Sequence, residues 1–354
     1  MTDSTSSHSL PKTARSAIWV DNNVIGIKDV PVVAPGPGEV LVRVRAAGIC
    51  GSDLHAFHSD APRRHIPGIG PGHELAGEVA ALGPGVQGPP VGTRVAAMAL
   101  RTCRTCEFCR VGRLQLCREL RVAGGSYPGG MGEYFLAQDD FLYLVPNGMD
   151  WPVAALSEPC AISLHGMKRA QMARGQRVLV LGAGTIGLFA ALVAHDAGAA
   201  YLGVTARYPQ QAEAARALGA DVVYDPSNVG PDSDAAGERW DLVVETVGGS
   251  APTLQQGIDL ANRGGKVLLL GIHQGPQPIT TTGIWLKELD IVGAWGYDDG
   301  SPHPDYDDTL ALLDKYHDVV APLVTHTFPL EQATDAFAAS VDKTSGAIKV
   351  TVLP

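Results

Sequence analysis

The rhythm of hydrophobic and polar positions changes partway along this chain. From residue 17 to about 146, short runs rich in β-branched residues are broken by glycine and proline. Residues 39–46 and 75–82 have the length and composition of strands, and the whole segment predicts a mainly β unit. Residues 153–173 then read as helix. Beyond them, short apolar runs at 177–181, 200–205, 221–224, 241–247, 266–270 and 290–294 alternate with alanine-rich stretches. Runs without a polar face are strands buried on both sides. With helices between them, such as 210–218 and 254–261, they predict βαβ units around a parallel sheet. From about residue 302 the texture is mixed again, and the alternating run 346–353 predicts a strand that rejoins the first unit.

At 354 residues the chain is too long for one hydrophobic core, which agrees with two domains. A net charge of −10 argues against a nucleic-acid-binding face. Arg101, Arg104, Arg110, Arg113, Arg118 and Arg121 therefore read as a solvated face rather than a phosphate stripe. The first eight residues are polar, which predicts neither a secretory signal nor a membrane anchor and makes the cytoplasm the expected compartment. There thiols stay reduced.

That matters because four of the six cysteines, Cys103, Cys106, Cys109 and Cys117, follow a Cys-x2-Cys-x2-Cys-x7-Cys spacing. Four thiolates close a tetrahedral zinc site and leave no open position, so the site would be structural. Disulfides suit a secreted chain, and the bacterial iron–sulfur run has a shorter last gap followed by Cys-Pro, where this chain has Arg118. Zinc is the expected occupant.

A second signal is Gly182-Ala183-Gly184-Thr185-Ile186-Gly187, directly after the apolar run 177–181 and before a helical stretch. In that setting the first glycine permits the tight turn, the second lets a pyrophosphate approach the backbone, and the third lets helix and sheet pack closely. The acidic residue that holds the ribose in NAD-preferring sites is expected about 20 residues on. Ala206 and Arg207 stand there instead, so NADP is favoured over NAD as the cofactor. Glu213 falls inside the next helix and is poorly placed to substitute.

A third group combines Cys50, Ser52, Asp53 and His55 with His73, Glu74 and the more distant Glu158. A catalytic zinc needs three protein ligands and one open position, and Cys, His and Glu supply them. Taken singly, each has a structural reading: a buried thiol, a core histidine, an acid at a helix start.

Together and in this order, these motifs resemble the zinc-containing medium-chain alcohol and polyol dehydrogenases, from about residue 17 to the C-terminus. The resemblance implies an α/β fold in which a GroES-like β-rich catalytic domain, residues 1–155 and 298–354, is interrupted by a Rossmann doubly wound parallel-sheet domain, residues 156–297. It implies two zinc ions per chain, with Cys50, His73 and Glu158 as catalytic ligands and Glu74 as an alternative. Glu as third ligand makes the chain more similar to the sorbitol and threonine dehydrogenase branch. Asp53 would orient His73. Zinc would act as Lewis acid on the oxygen of a small alcohol, polyol or matching carbonyl while hydride passes to or from the nicotinamide. Ser52 would take the hydroxyl proton and pass it through the ribose hydroxyl to His55 and solvent.

A homodimer or homotetramer joined through the nucleotide-binding sheet is also implied, with 266–272 and 290–296 as candidate edges. Residues 56–70 belong to the family's variable substrate pocket, Trp295 is a candidate lining residue, and Cys160 reads as a core thiol. Two rivals remain: zinc-free quinone or enoyl reductases, which lack the cysteine run and the metal set, and a zinc-binding scaffold that retains the nucleotide fold without catalysis.

Overall fold

The computed structural model describes residues 10–58, 68–297 and 305–354. The polar leader, most of the expected pocket segment and the expected domain boundary at 298 lie outside the described residues.

Six parallel strands form one sheet in the order Val222–Tyr224, Tyr201–Thr205, Arg177–Leu181, Trp240–Glu245, Ala261–Leu269, Asp290–Gly293. Their interior positions Val178, Leu179, Val180, Val243, Val244, Val267 and Leu268 are fully buried, as runs without a polar face require. The chain enters in the middle, winds outward to Val222–Tyr224, then returns to pair Trp240–Glu245 with Arg177–Leu181 and winds the other way. Connections on either side of that point leave to opposite faces, which opens a crevice at the C-terminal strand ends, beyond Leu181 and Glu245. The expected edge at 266–272 is corrected here: Ala261–Leu269 is an inner strand, flanked on both sides, and Asp290–Gly293 is the terminal one. Inner and edge strands read alike when both are apolar; the order is set by the crossovers.

A second, seven-stranded sheet runs Val324–Pro329, Lys349–Leu353, Glu39–Gly48, Glu74–Leu82, Arg94–Met98, Leu142–Leu144, with Tyr134–Gln138 also paired to Glu39–Gly48. The C-terminal strand does rejoin the first unit, antiparallel to Glu39–Gly48 with Thr351 opposite Gly48. One hydrophobic cluster runs through both units, joining Ala46, Met98 and Tyr143 to Val180, Leu188 and Leu242.

The helix expected over 153–173 is two pieces, Trp151–Ala154 and Ser157–Arg169. Pro159 explains the break. Lacking an N–H and stiff in φ, proline belongs in a helix's first turn, so a new helix starts two residues before it and carries Glu158 at its N-terminal end.

Candidate active site

The four-cysteine lobe brings its sulfurs together without bonding them. Sγ of Cys103 lies 3.9 Å from Cys109 and 3.5 Å from Cys117, and Cys106 lies 3.5 Å from Cys109. A disulfide needs about 2.05 Å, whereas a tetrahedron of 2.3 Å zinc–sulfur bonds has edges of about 3.8 Å. The donor set fits zinc. Backbone N–H groups of Cys103 and Cys106 donate to the sulfurs of Cys117 and Cys103, each at 3.3 Å. Amides of Thr105 and Cys106 pull the Cys103 thiol down to about 6, while burial among the other sulfurs pushes Cys109 up to about 12. Three of the six arginines of this region make carboxylate pairs at the surface. Arg104, at a positive φ of 59°, reaches Asp139 and Asp140, both at 2.6 Å; Arg101 pairs with Glu39 and Arg118 with Glu107.

Cys50 sits where the strand Glu39–Gly48 turns into the helix Gly51–His58, and its N–H donates to Oδ2 of buried Asp53 at 3.2 Å. His73 immediately precedes the strand Glu74–Leu82, whose first residue pairs with Gly48. Sheet register therefore sets the thiol beside the imidazole. Ligand atoms of Cys50, His73 and Glu74 all lie within 4.8 Å of one another. Glu158 is outside that triangle but faces the same cavity of about 340 Å³, together with Cys50, Ser52, His73 and Trp295. Asp53 stands 3.8 Å from Nδ1 of His73, an ion-pair separation rather than a hydrogen bond. Cys160 is fully buried, and burial raises its thiol far above the ordinary value.

Both oxygens of Glu74 accept from Lys349 Nζ, at 2.8 and 2.6 Å, and Lys349 also donates to the Ile49 carbonyl. Lys349 was not anticipated, although a lysine at an inward position of an alternating strand is a readable anomaly. Burial pushes Glu158 up to about 7, with His73 opposing that rise and Glu74 adding to it. Burial alone would lower His73, yet Asp53, Cys50 and Glu158 carry it well above the ordinary imidazole value. A buried pocket with such an excess of anionic groups fits a divalent cation.

The dinucleotide crevice adjoins this cavity. Gly182 has φ +106°, and its N–H donates to Thr205 Oγ1 at 2.8 Å. A side chain at Gly187 would collide with the Gly182 carbonyl, whereas the space beside Gly184 is open. Gly184 precedes the 12-residue helix Thr185–Asp196 and makes no side-chain cap, so the first N–H groups are free for an anion. A cavity of about 420 Å³ runs from Gly182, Ala183 and Gly184 past Thr205 to Arg207 and Tyr208. Ile186 lines the catalytic cavity instead, and Ala206 donates its N–H to the Tyr224 carbonyl. Asp225, which no motif marks, accepts from Ser227 and feels the Arg207 charge, both of which lower its pKa. Across the cleft, the exposed His55 meets Gln274 at 3.1 Å.

A doubly wound dinucleotide sheet joined to a β-rich unit with two groups of side chains able to hold a metal is the build of a zinc-dependent alcohol dehydrogenase. Residues 36–147 match the alcohol dehydrogenase GroES-like domain and residues 185–315 the zinc-binding dehydrogenase domain. The chain is 32% identical to sorbitol dehydrogenase of Bacillus subtilis (strain 168), over 98% of this chain and 99% of that one. It is 33% identical to L-threonine 3-dehydrogenase of Rhizobium johnstonii, over 94% of each. A Sinorhizobium meliloti 1021 structure described as a zinc-binding dehydrogenase bound to NADP superposes with a TM-score of 0.86 at 28% identity, covering 97% of this chain and all of that one. The chain belongs to the zinc-containing medium-chain alcohol dehydrogenase family and is a zinc-dependent, NAD(P)-dependent oxidoreductase acting on CH–OH groups. Its relatives favour neither a zinc-free reductase nor a scaffold.

Proposed function

We propose that this enzyme interconverts a secondary alcohol or polyol and its carbonyl partner, using NADP in preference to NAD. Cys50, His73 and Glu158 are proposed to hold the catalytic zinc, and Cys103, Cys106, Cys109 and Cys117 a second, structural ion. The observation that carries the reading is one cavity in which Cys50, His73 and Glu158 face Ile186 of the nucleotide fingerprint. Glu158 is preferred to Glu74 because both Glu74 oxygens are engaged by Lys349. Zinc at this centre supplies a Lewis acid for the substrate oxygen, and the nicotinamide a hydride acceptor. Ser52, on the cavity wall, is assigned to take the hydroxyl proton, and His55 to deliver it to solvent. The division into residues 1–155 with 298–354 and residues 156–297 is supported by the membership of the two sheets.

The test is a panel of polyols, secondary alcohols and amino alcohols assayed with NAD and NADP in parallel. At least one should be oxidised, with the higher kcat/KM for NADP; no NAD(P)-linked turnover on any would sink the reading. Arg207→Ala should raise KM for NADP by about 10- to 100-fold, the worth of a charge-assisted contact to a phosphate, and leave KM for NAD unchanged. An equal effect on both cofactors would remove Arg207 from the 2′-phosphate site.

Self-association through the terminal strand Asp290–Gly293 is supported by the apolar side chains around it. Ile291, Trp285, Leu286 and Trp295 are 39, 65, 51 and 50% exposed, an unusual cluster for a free surface. Ile291→Lys is expected to convert the assembly to monomers in light scattering; unchanged mass would place the interface elsewhere. Among the described residues no helix is long and apolar enough to cross a membrane. The cytoplasm is the proposed compartment, in keeping with six free thiols.

A further inference from the structure

Residues 270–274 leave the C-terminal end of the strand Ala261–Leu269, at the point where the nucleotide crevice meets the catalytic cavity. Their path is pinned. Leu270 and Gly271 both donate N–H groups to the Glu245 carbonyl, at 2.9 and 3.0 Å. Gly249 donates to the Ile272 carbonyl at 2.8 Å, and Gln274 donates back to the Gly249 carbonyl at 3.0 Å.

The side chains reinforce this. Glu245 is fully buried, and its Oε1 accepts from Val247 N, Gly248 N and Thr253 Oγ1 at 2.8, 2.9 and 2.7 Å. Its Oε2 faces Nε2 of His273 at 3.2 Å. Glu245 thus joins two loops: its Oε1 holds the loop after Trp240–Glu245, and its carbonyl accepts from Leu270 and Gly271 at the start of the loop after Ala261–Leu269.

Gln274 is the next residue out, and its side chain crosses to the other unit. Nε2 of Gln274 donates to Nδ1 of His55 at 3.1 Å, a contact between residues 219 apart in sequence. In this amide orientation the NH₂ donates, so Nδ1 is the acceptor and a neutral ring carries its proton on Nε2. A histidine that delivers protons works best with a defined ring orientation and tautomer. We propose that Gln274 is a positioning residue for His55: the nucleotide-binding unit, through an arm anchored at Glu245, sets the ring orientation and tautomer of the proton-delivering histidine on the catalytic unit. This rests on the assignment of His55 to proton delivery made above.

The test uses the full chain labelled with ¹⁵N-histidine, at a pH about two units above the ordinary imidazole value. The His55 ring signals are identified by their loss in His55→Gln. Wild type should show the proton on Nε2, Gln274→Glu should move it to Nδ1, and Gln274→Leu should give a mixture of tautomers. On an alcohol from the substrate panel, Gln274→Leu should lower kcat about tenfold, part of the 10²- to 10⁴-fold that general acid–base catalysis contributes. KM values should hold, and the solvent isotope effect should rise.

A wild-type ring protonated on Nδ1 overturns the proposal. So does a Gln274→Leu protein with the wild-type tautomer, whether or not its KM or thermal stability changes, since that describes a structural latch. If no alcohol is oxidised at all, the dehydrogenase reading fails by itself, while the ring spectra still decide whether Gln274 sets the His55 tautomer.

Discussion

Replacing Cys50 with alanine is expected to remove one of the two proposed zinc ions and to reduce alcohol oxidation by roughly 10⁴-fold. A metal Lewis acid supplies several kcal/mol of transition-state stabilisation, and at about 1.4 kcal/mol per decade a loss of about 5.5 kcal/mol gives that factor. Among the described residues Cys50 is the one cysteine grouped with His73 and Glu74, so its loss leaves an imidazole and carboxylates with weaker hold on zinc. The ion proposed for the four-cysteine lobe would be held by residues 103–117 alone and should be retained. Elemental analysis together with steady-state rates checks both halves, and a Cys50→Ala enzyme with full activity and two zincs would end the assignment.

The same pocket sets a pH dependence for loading. Burial raises Glu158 to about 7, and neighbouring anions raise His73 well above its ordinary value. Raised values mean that protons compete with the metal, because the ligating forms are carboxylate and neutral imidazole. Metal affinity of the stripped enzyme should therefore fall as pH drops through about 7. A flat profile from pH 8 to 5 would show that these two groups are not ligands.

The strand Arg177–Leu181 and the turn after it were legible because their chemistry is local. A run buried on both faces followed by spaced glycines has few other uses, and the observed strand has the expected ends. Sheet order was not legible at 266–272, because an inner strand and an apolar edge strand carry the same side chains. Pro159 marked the new helix start, but the 153–173 pattern ran across it. At the site, Cys50, His73 and Glu158 could be named from residue type and order, whereas their partners are products of tertiary approach. Lys349 reaches Glu74 across 275 residues, and Gln274 reaches His55 across 219. A single amide with no motif around it leaves no trace in the sequence, and an inward lysine reads only as an anomaly whose partner is unknown until the strands that carry them are placed.

Substituting Cys109 with serine should release the lobe's proposed zinc and lower Tm by about 5 °C, and it should also raise KM for the alcohol without loss of the catalytic ion. Zinc bound by four thiolates contributes on the order of 10 kcal/mol to the folding of isolated fingers. Here only a lobe depends on it, so local loosening worth about 4 kcal/mol is the expected cost, equivalent to about 5 °C for a chain of 354 residues. The effect on KM follows from where the lobe leans. Gln115, two residues before Cys117, is buried, and its Cβ would stand 2.8 Å from a side chain at Gly296. Gly296 follows Trp295, and both line the catalytic cavity with Leu100, Val122 and Ala123 from the segments flanking the lobe. Losing the zinc lets Gln115 withdraw and loosens that wall, while Cys50 and His73, held by the sheet register, stay in place. A lower Tm with unchanged KM would reduce the lobe to a staple, and an unchanged zinc count would remove Cys109 from the site.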